Sequence, residues 1–154
     1  MEKMIAYCGL VCTDCPAYIA TQANDRAALE KVAAQWREMF NAPTIIADAI
    51  ICDGCLAQNG GRLCSHCSIC EIRACGRERS VENCAYCSDY ACTKLEGFFS
   101  HAPEARNVLD EIRRSIVRKN LRSAKAELLL SKLRFDTPEV SKKEVPWLKQ
   151  IVIL

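Results

Sequence analysis

Residues 52–92, CDGCLAQNGGRLCSHCSICEIRACGRERSVENCAYCSDYAC, decide how this chain folds, because they hold nine of its twelve cysteines. Apolar residues here follow neither the 3.6-residue period of a helix nor the alternation of a strand. Gly54, Gly60, Gly61 and Gly76 break the stretch further. A segment so poor in aliphatic side chains does not fold on burial alone, and the spacing predicts loops and short turns wrapped around metal.

The cysteines form five C-x2-C units: Cys12–Cys15, Cys52–Cys55, Cys64–Cys67, Cys67–Cys70 and Cys84–Cys87. A two-residue gap lets both sulfurs reach one ion while backbone N–H groups point at them, the arrangement of a zinc knuckle. By spacing, Cys64–Cys67 and Cys84–Cys87 make the best pair, because the interval of sixteen residues falls in the range of zinc sites. Cys12–Cys15 could close a second site with Cys52–Cys55, leaving Cys8, Cys70, Cys75 and Cys92 as a third set. Cys52–Cys55 could instead join Cys64–Cys67 across eight residues. His66, inside C-S-H-C, is read as a solvent-facing residue, with replacement of a thiolate as the alternative.

Energetics assigns such metals a structural role. A thiolate zinc site contributes roughly 10–16 kcal/mol of apparent binding free energy in small peptides, whereas whole domains are stable by only about 5–15 kcal/mol. The central segment is expected to unfold without its ions. The formal net charge is +2. Twelve thiolates and three divalent ions would make it about −4, and eight thiolates with two ions about −2. Arg62, Arg73, Arg77, Arg79 and Lys94 then read as compensation for negative thiolate sites. Glu71, Glu78 and Glu82 dilute any basic stripe, which argues against nucleic acid as a partner.

Around this body the pattern is helical. Pro16 suits a first helical position, and Asn24 or Asp25 is placed to cap a second helix. Leu29, Val32, Ala33, Trp36, Met39 and Phe40 then recur on one face, until NAPT at 41–44 ends it. Residues 44–55, TIIADAIICDGC, fit a short strand or a helical turn. TKLEGFF after Cys92 predicts a short helix with Leu95, Phe98 and Phe99 inward. Pro103 and Glu104 open a helix over 103–119, with Ala105, Val108, Leu109, Ile112 and Ile116 as its stripe. Arg113, Arg114, Arg118 and Lys119 would sit at its negative end, and a further helix is expected over 121–134. Trp147 and IVIL, in the apolar C-terminal tail, suggest cover for the core or a homodimer contact. The fold class is therefore mainly α with irregular loops: a small metal-stabilised cysteine-rich domain with zinc-knuckle turns packed against amphipathic helices. Residues 1–99 form the cysteine-rich part and 100–154 a helical segment packed on it.

CGLVCTDC, residues 8–15, has the C-x3-C-x2-C spacing with which radical enzymes hold an iron–sulfur cluster. Asp14 stands where those enzymes usually carry an aromatic residue, nine other cysteines could close the open iron, and the chain is too short for their partial barrel. A closed cluster is the alternative to zinc. CSHCSICEIRAC, residues 64–75, is one residue longer than the bacterial ferredoxin run.

CGLVCTDCPAYIAT, ICDGC and CSICEIRACGRERSVENCAYCSDYACTKLEGFF, taken in this order, resemble a prokaryotic cysteine-rich family, domain of unknown function 3795, over about residues 5–99. The resemblance implies metal binding, most plausibly of zinc, with no assigned activity. It implies Cys8, Cys12, Cys15, Cys52, Cys55, Cys70, Cys75, Cys84, Cys87 and Cys92 as ligands. Cys64 and Cys67 are less typical of its pattern, and Ala91 replaces the family's usual proline. The C-terminal helices lie outside it.

All twelve cysteines, Cys64 and Cys67 included, are thus candidate metal ligands, for two or three Zn2+ ions or, alternatively, an iron–sulfur cluster. No signal peptide and no membrane-length apolar run is read from the chain, and reduced thiols point to the cytoplasm. No H-E-x-x-H, G-x-S-x-G or phosphate-gripping glycine loop is present. Tyr7, Asp14, Tyr18, Asp53 and Asp89 could line an open zinc site, but such residues are more often turn or supporting residues. Tyr86 and Tyr90 read as packing. The leading expectation is a binding or interaction module for a protein or small ligand; the alternative is an iron–sulfur electron carrier.

Overall fold

A computed structural model describes residues 3–58 and 61–135. Trp147 and the IVIL tail, and with them the expected dimer contact, lie outside the described residues. The architecture is helical, with no β-strand among the described residues; a lone antiparallel bridge joins Ile5 to Val11. The elements are α1 (Pro16–Gln22), α2 (Arg26–Met39), α3 (Ser65–Ser68), α4 (Glu71–Glu78), α5 (Thr93–Phe99) and α6 (Pro103–Phe135), with 3-10 turns at Cys12–Asp14, Ala47–Ile50 and Cys84–Tyr86. The chain divides into two compact units, residues 1–117 and 118–154.

Two small apolar cores lie within residues 1–117. The first gathers Ala17 and Ala20 of α1, Leu29, Val32 and Ala33 of α2, and Ala47 and Ile50. Pro16 begins α1, and Asp25 caps α2 by accepting a hydrogen bond from the Ala28 N–H at 2.9 Å. The inward face of α2 ends with half-buried Trp36. Met39 and Phe40 are exposed, because they fall in the last turn and C-cap, beyond the core. The ambiguous stretch at 44–55 resolves into the Ala47–Ile50 turn.

The second core joins Ile72 of α4, Cys84, Ala85, Leu95 and Phe99 of α5, and Ala102, Ala105 and Leu109. Phe98 is only partly buried against it. Gly9 lets the N-terminal loop meet α6: its φ is +99°, and a Cβ there would stand 2.3 Å from the Ala105 carbonyl oxygen. The expected break near residue 120 is absent. Lys119, Asn120 and Leu121 include no glycine or proline, and α6 continues to Phe135. Arg113 and Arg114 therefore lie far from the helix's negative end.

Candidate metal centre

None of the twelve cysteines is in a disulfide. The Sγ atoms of Cys52, Cys64 and Cys67 lie within 4.8 Å of one another. Thiolates held tetrahedrally about 2.3 Å from zinc are about 3.8 Å apart, so little movement would bring these three onto one ion.

Local hydrogen bonds explain the convergence. The buried Thr21 hydroxyl donates to the Ala17 carbonyl at 2.7 Å and accepts the Cys52 N–H at 3.1 Å, tying Cys52 to α1. Next in the chain, the Asp53 N–H donates to the Arg62 carbonyl at 2.8 Å. The Asp53 carboxylate accepts the Arg62 N–H at 2.8 Å, Nε at 3.0 Å and Nη2 at 2.8 Å. The Arg62 guanidinium holds the Asp53 carboxyl well below the usual carboxylate range. This clasp closes the loop and delivers Cys64, two residues beyond Arg62, to Cys52. Cys64 caps α3, and its sulfur accepts the Cys67 N–H at 3.4 Å.

The expected N–H···S pattern recurs. Gly54 N–H donates to the Cys52 sulfur at 3.4 Å from a residue with φ +96°, the conformation that favours glycine. Cys55 N–H donates to the Cys12 sulfur at 3.3 Å. Cys12–Asp14 and Cys84–Tyr86 are 3-10 turns, each closed by the N–H of the second cysteine of its unit, Cys15 or Cys87.

Electrostatic coupling among the remaining sulfurs follows the fold. Burial pushes the Cys8 thiol up to about 12, with Cys55, Cys70 and Cys12 adding to the shift. Burial likewise raises Cys55 to about 11, with contributions from Cys12 and Cys70. Cys84, raised to about 12 by burial, feels Cys87, Cys92 and Cys75 before the more weakly coupled Cys55. Cys12, raised by burial, feels Cys52, Cys15 and Cys64. Within the converged trio, hydrogen bonds from Cys64 and Cys67 lower the Cys52 thiol, whereas its own bonds to Cys52 and Cys64 raise Cys67.

These neighbours differ from the pairing of best sequence spacing. Cys64 and Cys67 meet Cys52, not the Cys84–Cys87 unit. Between the two units runs α4, eight residues that carry the chain about 12 Å at a helical rise. The Cys52–Cys55 unit is also divided: Cys52 faces Cys64 and Cys67, whereas Cys55 couples to Cys8, Cys12 and Cys70. His66 is exposed.

Three aspartates near the cysteines pair with basic residues. Asp53 pairs with Arg62, Asp89 with Arg79 at 2.6 Å, and Asp14 with Lys3 at 3.7 Å. Arg79 Nη1 also donates to the Cys87 sulfur at 3.4 Å, whereas Arg62 serves the clasp. Sequence reasoning missed that clasp, whose signal was an acid directly after Cys52 and an arginine two residues before Cys64. It also missed Arg113, whose Nη1 donates to the Ala85 and Cys87 carbonyls at 2.8 Å each, with its guanidinium over the Tyr90 ring at 5.2 Å. Tyr90 packs as expected and donates its hydroxyl to Asp110; Tyr86 is exposed.

A family model described as "Protein of unknown function (DUF3795)" matches residues 4–97. No curated protein and no solved structure matches the chain. Among the described residues, no helix is long and apolar enough to cross a membrane.

Proposed function

The chain belongs to that cysteine-rich family, DUF3795, since the match covers well over half its length, and within it we propose a structural metal-binding module whose thiolates hold zinc in four-cysteine sites. The convergence of the Cys52, Cys64 and Cys67 sulfurs carries this reading. Beside the trio, the electrostatic neighbours support two groups, Cys8 with Cys12, Cys55 and Cys70, and Cys75 with Cys84, Cys87 and Cys92, although Cys12 also feels Cys52, Cys15 and Cys64. Cys12 goes with Cys55, whose N–H its sulfur accepts; Cys15 completes the remaining group.

Zinc is favoured over an iron–sulfur cluster on the ferredoxin-like run. Such a run turns its first three cysteines to one cluster, whereas Cys70 couples to Cys8 and Cys55, away from Cys64 and Cys67. Zinc has no redox chemistry of its own. The module then acts by presenting a surface or a pocket to a protein or small ligand.

Elemental analysis and a visible spectrum of anaerobically purified protein test the proposal. The expected result is a colourless protein with about three zinc ions per chain, and Cys52→Ser should lose about one equivalent while the other ions remain. Stoichiometric iron with visible absorption would replace zinc by the redox reading, and metal-free folded protein would overturn both.

A further inference from the structure

A cavity of about 410 Å3 opens beside α4, with Tyr7, Cys55, Gln58, Arg73, Arg77 and Ser80 in its wall. Its volume lies toward the small end of ligand sites, which run from about 300 to 1,000 Å3. Leu56 and Ala57 complete the wall, whose exposed surface is mainly polar, and no carboxylate among the described residues lines it.

Arg73 is only 7% exposed, and buried charges are ordinarily paired. No carboxylate among the described residues bridges to Arg73 or Arg77. Arg73 donates Nε to the Cys55 carbonyl at 2.9 Å and Nη2 to the Ala57 carbonyl at 3.4 Å. A guanidinium has five N–H donors, so donors remain for the cavity. An arginine that only offsets thiolate charge would turn its donors to sulfur, as Arg79 does at Cys87. Arg73 stands within electrostatic reach of the Cys55 sulfur, yet its donors go to two carbonyls of the cavity rim, which fix its plane.

Arg77 follows one helical turn later, where two like charges repel. An anion between them would remove that repulsion and take bidentate, charge-assisted hydrogen bonds. The Tyr7 ring is held at the wall by Gly76: a Cβ at that position would stand 2.2 Å from the ring.

We propose that this cavity binds a small oxyanion-bearing molecule, a phosphate or a carboxylate, through the guanidinium groups of Arg73 and Arg77. The site names a ligand class for the module proposed above, and Cys55 is the residue that the cavity and the sulfur groups share.

The test is calorimetric titration of the full, metal-loaded chain with pyrophosphate in one arm and succinate in the other, at constant ionic strength, with metal content measured on the same samples. Saturable binding in at least one arm is expected, and the stronger arm identifies the oxyanion. Arg77→Gln, at an exposed position that should leave the fold intact, should weaken that binding about 10- to 100-fold. Arg73→Lys, which keeps the charge but loses the fork, should also weaken it. Lys31→Gln, on exposed α2 surface, should leave it unchanged. No saturable binding in either arm, or equal losses in Arg77→Gln and Lys31→Gln, would overturn the cavity assignment. With zinc retained, that result leaves the metal reading standing; absence of zinc with Arg77-dependent binding would do the reverse.

Discussion

The α1–α2 region and the segment from Cys52 to Cys70 are neighbours in sequence and are held by different physics. In the first, Leu29, Val32 and Ala33 of α2 pack on Ala17 and Ala20 of α1, and burying a Leu or Val side chain is worth about 1.5–3 kcal/mol. In the second, the buried residues among those described are Cys52, Gly54 and Cys55, and Ile69 is 80% exposed. There the chain is ordered by N–H···S bonds, the Asp53–Arg62 clasp and converging sulfurs. An apolar core tolerates many arrangements of similar volume, whereas a sulfur site fixes its residues through a few short, directional contacts. The comparison teaches that a small domain can divide its stability between the two modes within a few dozen residues.

Removal of metal should produce the largest effect, because each thiolate site stands for about 10 kcal/mol or more. Under a strong chelator and reducing conditions, residues 52–70 should lose their native amide dispersion in NMR spectra, and α2 should keep helical signals longest. Retention of the native spectrum over 52–70 would erase the distinction between the regions. Next comes Leu29→Ala, expected to lower stability by about 2–5 kcal/mol in urea denaturation while zinc content stays constant; loss of zinc would mean that the regions are one cooperative sulfur-held unit. Asp25→Ala removes the α2 cap and should cost about 1 kcal/mol, again without changing zinc content. The smallest effect is predicted for Asp53→Asn. Arg62 is 54% exposed, and such pairs are worth about 0.2–1 kcal/mol. Its signature lies in kinetics: metal release from the Cys52 group should quicken, read with a chromogenic chelator.

Much of the helical frame was legible. Pro16, Asp25 and the Leu29–Val32–Ala33 spacing each act through contacts within a few residues, so local rules locate α1 and α2. The same rules failed at Met39 and Phe40, where periodicity continues past the edge of the core. They failed again near residue 120, where a new helix was expected without any breaker. Arg113 was read as a helix-end cation; that it clamps the Ala85 and Cys87 carbonyls depends on the Cys84–Tyr86 turn sharing a core with α6, which a periodic stripe does not reveal.

Composition alone pointed to metal chemistry: a central third rich in thiols and poor in aliphatic side chains offers few apolar contacts to fold on. Spacing also determined the knuckle geometry, since N–H groups reach sulfur within two or three residues. That Cys52, Cys64 and Cys67 converge was decided only by tertiary structure. The C-x2-C units are nearly interchangeable by spacing, and the choice among them rests on the path of the chain. Thr21 holds Cys52 to α1, Asp53 grips Arg62, and the Cys55 N–H reaches the Cys12 sulfur. These contacts join residues distant in sequence, and no local period encodes them.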